Sequence, residues 1–169
     1  MNFSNKMADF EIEERVDKAV DNFYTGYNCA QSVFLAYWDI LGLEYDVARN
    51  MSVSFGAGVG RMREICGTVT AMAMIAGFKY PISVPNDENE SNSVDNIIRE
   101  MAGIFKDKHH TILCRELLPE SELQSTPAPS IRTKEYYQRR PCSAFIADAA
   151  RIAGFMLKEQ LSSLQSAKP

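Results

Sequence analysis

The stretch Val94–His109, VDNIIREMAGIFKDKH, sets apolar residues at Val94, Ile97, Ile98, Met101, Ile104 and Phe105, with charged and small residues between them. Spacings of three and four put these side chains on one face of an α-helix, which predicts an amphipathic helix ending near His109. The same period recurs upstream. Ile12, Val16, Ala19, Val20 and Phe23 form one stripe, closed by Gly26. A second helix is predicted from Asn28 to about Leu41, with Gly42 as its stop, and a shorter third from about Tyr45 to Ser54.

After the turn Phe55-Gly56-Ala57-Gly58-Val59-Gly60, a helix is expected from about Met62 or Glu64 to Gly77. Its small residues Gly67, Ala71, Ala73 and Ala76 permit close packing. Pro81 to Asn92 is polar and proline-interrupted and reads as a loop. Cys114 opens a short turn to Leu118, and a Pro-, Ser- and Thr-rich loop, the expected site of mobility, runs on to about Thr133. A last helix is predicted from Pro141 to about Leu164, with Phe145, Ala149, Ile152, Met156 and Leu157 inward. No alternating run of β-branched residues is long enough for a sheet. The fold class is therefore all-α, a compact bundle of five to six helices.

A chain of 169 residues suits one domain, here with its core at about 8–164. A domain of this size buries about 70% of its unfolded surface without covalent staples. Met1 to Glu14 is polar and acidic, unlike a signal peptide, so a cytoplasmic location is expected, where thiols stay reduced unless they do redox work or bind metal. The longest nearly apolar run, Ile65 to Phe78, is too short to span a bilayer. With 18 basic and 22 acidic residues, and the basic ones scattered, no nucleic-acid footprint is present. The densest basic patch, Arg132, Lys134, Arg139 and Arg140, reads as a solvated loop.

Four cysteines remain. Cys29, Cys66, Cys114 and Cys142 each lie beside a helix-start signal or a tight glycine turn: Asn28 suits an N-cap before Cys29, and Pro141 suits the first helical position before Cys142. A helix N-terminus carries partial positive charge, which eases ionisation of a thiol. Helical spacing sets Cys142 with Phe145, Ile146 and Ala149, Cys29 with Val33, and Cys66 with Val69, Thr70 and Ala73, all inward. Three cysteines at the starts of three helices can meet at one end of a bundle.

The alternative is that these thiols are small buried hydrophobes in a non-enzymatic binding or scaffold protein. Zinc-type pairs are absent, since the closest cysteines, Cys114 and Cys142, stand 28 residues apart. His110, four residues before Cys114, is a candidate further ligand, against the bland reading of His109 and His110 as a helix C-terminus. Gly56-Ala57-Gly58-Val59-Gly60 lacks the spacing and the preceding strand of a dinucleotide site. Its better role is a sharp turn whose backbone comes close to the cysteine site.

These residues resemble the redox-active proteins named for their cysteine pattern, the C_GCAxxG_C_C family. The resemblance spans about Val16 to Leu157 and rests on Phe23 to Gln31, Phe55 to Arg61, Cys66-Gly67, Cys114 to Leu118, and Cys142. The family's CGAxxG motif reads Cys66-Gly67-Thr68-Val69-Thr70-Ala71 here, with threonine for alanine and alanine for the last glycine. The resemblance implies a redox or electron-transfer role for Cys29, Cys66, Cys114 and Cys142, with Gly58, Gly60, Arg61 and Gly67 as residues that would contact a bound group. A related domain resembles the iron–sulfur part of split-Soret cytochromes, which extends the implication to an iron–sulfur cluster on the four thiolates. Cluster, thiol–disulfide pairs and a metal-binding module all remain open at this level, as do the redox partner and homo-oligomer formation. Arg61, Arg63 and Arg115 would favour thiolates where they face the site.

Overall fold

The computed structural model describes residues 9–85, 87–123 and 131–166. Among them the fold is helical with no strand, and the only extended pairing is a single antiparallel bridge between Ile65 and Leu113. No helix among the described residues is long and apolar enough to cross a membrane.

The first helix, α1 (Ile12–Tyr24), buries Val16, Ala19 and Phe23 and ends where Gly26 takes φ 110°. Its main partner is α8 (Cys142–Leu157), which buries ten of its residues, Phe145 through Leu157, and stands at the centre of the fold. Ala149, Ala150, Ala153 and Gly154 keep that helix thin. A Cβ at Gly154 would lie 2.9 Å from the Tyr37 hydroxyl, which donates to the Ala150 carbonyl at 2.7 Å. Three further helices pack around this pair: α2 (Cys29–Phe34), α4 (Gly67–Lys79) and α5 (Glu88–His109). Within α4, Ala71 and Ala76 are fully buried, so the alanine at the motif's last position is part of the core. From α5, Val94, Met101 and Phe105 point into the core.

Several predicted boundaries shift, some for local reasons and some through contacts remote in sequence. The second helix stops at Phe34 rather than Leu41, because the next amides bond three residues back and Arg15 takes the Ala36 carbonyl at 2.9 Å while clamping Asp39 at 2.7 Å. The element after Glu44 is α3 (Tyr45–Ser52) followed by a 3₁₀ turn, Val53–Phe55. α4 begins at Gly67 rather than near Met62 or Glu64, since Arg61 and Arg63 have positive φ and Ile65 is held in the bridge. The loop after Pro81 is shorter than expected: the Asp87 side chain caps α5 at Glu90, and the Glu90 carboxylate accepts the Ser83 amide. Cys114–Leu117 forms the short α6.

The last predicted helix is two. α8 ends at Leu157, Glu159 takes φ 59°, and α9 (Leu161–Ser166) follows. Pro141 occupies the cap position before α8 rather than its first helical position. The expected mobile loop falls partly on residues 124–130, outside the described residues, and the stretch read as a solvated basic loop holds α7 (Lys134–Arg139), capped by Thr133.

Candidate functional site: a four-thiol cavity

All four cysteines stand at helix starts. Cys29, Cys114 and Cys142 are the first residues of α2, α6 and α8, and Cys66 is the N-cap of α4. All four line one cavity of about 310 Å³, and all four are free thiols. Cys66 and Cys114 are buried, whereas Cys29 and Cys142 keep partial exposure.

Local structure explains the convergence. Asn28 caps α2 with its side-chain oxygen on the Ala30 and Gln31 amides at 3.0 Å, and its side-chain amide reaches the Val53 carbonyl at 2.8 Å, tying α2 to the 3₁₀ turn that leads into the glycine turn. That turn is bent to a degree rare in proteins: Ala57, Gly58, Val59, Gly60, Arg61 and Arg63 all have positive φ, from 54° to 71°. For Val59, a β-branched residue, this conformation costs about 1–2 kcal/mol, and strain of this kind concentrates at functional sites. The turn returns the chain to the bridge, where the Cys66 amide donates to the Ile112 carbonyl at 2.8 Å and the Cys114 amide to the Glu64 carbonyl at 2.7 Å. The bridge thereby fixes the starts of α4 and α6 side by side.

Cys29 is the electrostatic focus. Its sulfur accepts a hydrogen bond from the Cys66 thiol, and the backbone N–H groups of Ala57, Ala30 and Gly67 also face it, which together outweigh burial and hold its pKa down at about 6. Cys66 is pushed the other way, because its proton is shared with the Cys29 thiolate and it is buried; Thr68 Oγ1 lies 3.2 Å from its sulfur. Burial raises Cys114, aided by the Cys29 charge, against a hydrogen bond from Arg63. Burial pushes Cys142 up to about 12 despite Arg140 nearby. Cys29 alone of the four is lowered, and the other three are raised.

The predicted contact residues divide. Gly60 and Arg61 line the cavity, while Gly58 packs its backbone on Arg63 and Glu64, where a Cβ would come within 2.8 Å. Gly67 leaves no room at all, since a Cβ there would stand 2.7 Å from both the Cys29 sulfur and the Phe55 carbonyl oxygen. Because the Phe55 atom is backbone, Gly67→Ala is expected to cost about 1–3 kcal/mol. It should also slow alkylation of Cys29; denaturant titration and rate measurement check both.

Arg63 faces the site, but Arg115 does not: it pairs with Glu64 at 2.6 Å on the surface. His110 caps α5 in the left-handed region and His109 bonds Asp148 at 2.9 Å between Phe105 and Phe145; neither lines the cavity. The basic patch is the main correction. Arg132, Tyr136 and Arg140 all line the cavity, and Arg140 is buried at 6% exposure, stacked on Tyr136 at 4.6 Å and paired with Glu122 at 2.6 Å. The cap signal Thr133 before Tyr136 and Tyr137 would have marked a helix there, but nothing local pairs Arg140 with Glu122, 18 residues away.

Among the described residues no three His, Cys, Asp or Glu side chains gather closely enough to hold a single metal ion.

No curated protein and no solved structure matches the chain. The model of the family described as "Putative redox-active protein (C_GCAxxG_C_C)" does match, over residues 27–156, a span that contains all four cysteines and the strained turn between them; the chain belongs to that family.

Proposed function

We propose that the cavity is a thiol redox site in which Cys29 is the nucleophile and Cys66 the resolving thiol. The observation that supports this reading is the hydrogen-bonded Cys29–Cys66 pair, with backbone N–H groups arranged around one sulfur of the two. The Cys29 thiolate attacks a disulfide R–S–S–R, forming a mixed disulfide and releasing RS⁻. Cys66 then gives up its proton and its sulfur displaces the second RS⁻ from Cys29. The protein ends as a Cys29–Cys66 disulfide, and the two leaving thiolates take one proton from Cys66 and one from water. Two electrons pass from protein to substrate.

Cys114 and Cys142, which line the same cavity, favour a second reading, an iron–sulfur centre held by Cys29, Cys66, Cys114 and Cys142. Such a centre would supply one-electron transfer. Anaerobic purification with iron and sulfide analysis separates the two. For the thiol reading, one equivalent of a small disulfide should consume two thiols and yield a linked Cys29–Cys66 peptide. Iron and sulfide in stoichiometric amounts, with all four thiols shielded from alkylation, supports the cluster instead; a metal-free protein whose Cys29 stays reduced defeats both.

A further inference from the structure

Arg140 is a buried cation whose pairing is incomplete. Its Nε donates to Glu122 and its guanidinium lies over the Tyr136 ring, yet Nη2 has no hydrogen-bond partner among the described residues. A buried guanidinium whose charge is only partly matched gains from an anion brought close to it. This side chain lines the four-thiol cavity together with Arg132 and Arg61. Arg132 is itself fixed, donating to the Tyr27 carbonyl at 2.7 Å and lying over the Phe23 and Tyr136 rings. No Asp or Glu is among the described residues that line the cavity, and Glu122 neutralises Arg140 from outside it.

We infer that this wall is a receptor for a small ligand bearing a carboxylate, seated on Arg140 and Arg132 with its remaining atoms turned toward the thiols. The planar guanidinium fork matches a carboxylate, and about 310 Å³ suits a molecule of metabolite size rather than a protein segment. The inference deepens the thiol reading by naming what the site admits, and rests on that reading only where Cys29 serves as reporter.

Two measurements test it. In the first, glutarate is titrated into the reduced protein and followed calorimetrically; saturable binding is expected, weakened about tenfold in Arg140→Gln. Absence of saturable binding by the wild-type protein, or equal affinity in a folded Arg140→Gln, overturns the receptor. The second needs no variant. Iodoacetate and iodoacetamide differ in charge but little in size, so the ratio of their rates at Cys29, divided by the same ratio for the neutral thiol N-acetylcysteine amide, reports anion steering. A ratio raised about tenfold is expected; one equal to that of the free thiol overturns the inference. If Cys29 reacts with neither reagent, the thiol reading has failed and the glutarate titration alone decides the receptor.

Discussion

Cys29→Ser is expected to remove the one fast-reacting thiol of the protein. At pH 6 a thiol with a pKa of about 6 is half ionised, whereas an ordinary cysteine is about 0.3% ionised. The lower pKa weakens the thiolate as a nucleophile by about tenfold, which offsets only part of that advantage. Cys29 should therefore react with iodoacetamide at pH 6 about ten times faster than an unperturbed cysteine. The other three thiols, all raised in pKa, should stay nearly unlabelled. The rate should climb with pH through a midpoint near 6 and level off above it, since the thiolate is the reacting form. Cys66→Ala deletes the S–H donor and should move the midpoint up by about one unit. In Cys29→Ser the fast phase disappears while the helical circular dichroism persists, because a hydroxyl accepts the same backbone N–H groups. A midpoint at 8 or above in the wild-type protein, or fast labelling that survives in Cys29→Ser, contradicts this assignment.

Glu122→Ala is expected to destabilise the fold by about 3 kcal/mol, the cost of leaving a buried charge without its partner. Glu122 accepts from Arg140 at 2.6 Å where both are buried, and from Arg139 at 2.8 Å, where the arginine is largely exposed and its share is small. The dependence on pH has a definite sign. Burial raises the Glu122 pKa, but the hydrogen bonds and charges of Arg140 and Arg139 prevail and hold it below the usual carboxylate range. A depressed carboxylate contributes stability in full above its unfolded pKa of about 4.3, and that contribution is lost as pH falls through the folded value. Urea unfolding at pH 7 should show the full deficit of the variant, and unfolding near pH 3 a smaller one. A deficit that does not change with pH would mean that Glu122 acts through packing rather than charge. Because Arg140 lines the four-thiol cavity, the variant should also disturb the site.

Much of the architecture is a property of local sequence. The 3.6-residue period in Val16–Phe23 and Val94–Phe105, with Gly26 after the first stripe, settles which faces are buried before any contact is known. The capping box of Asn28 and Gln31 likewise marks the start of α2, and with it the exposure of Cys29 to backbone N–H groups. Helix ends were less legible because their causes are remote in sequence: Arg15 reaches Ala36, and Leu113 pairs with Ile65.

The site divides along the same line. Four cysteines beside helix-start and turn signals, and a glycine run suited to close approach, are visible in the chain as written. That Cys29 ionises first while Cys142 does not is a matter of which thiol meets Ala57, Gly67 and Cys66 and which is merely buried. The basic stretch from Arg132 to Arg140 shows the limit most clearly. By composition it is an ordinary solvated segment, and only its docking against Phe23, Tyr27 and Glu122 turns two of its arginines into the cavity wall. Periodicity and caps are written within a few residues of where they act, so sequence alone determined the all-α class and the placement of the thiols at helix starts. Burial and charge pairing are sums over segments far apart in the chain, 105 residues for Arg132 and Tyr27 and 138 for Arg151 and Glu13, so only the tertiary structure decided which thiol is reactive and which cations face it.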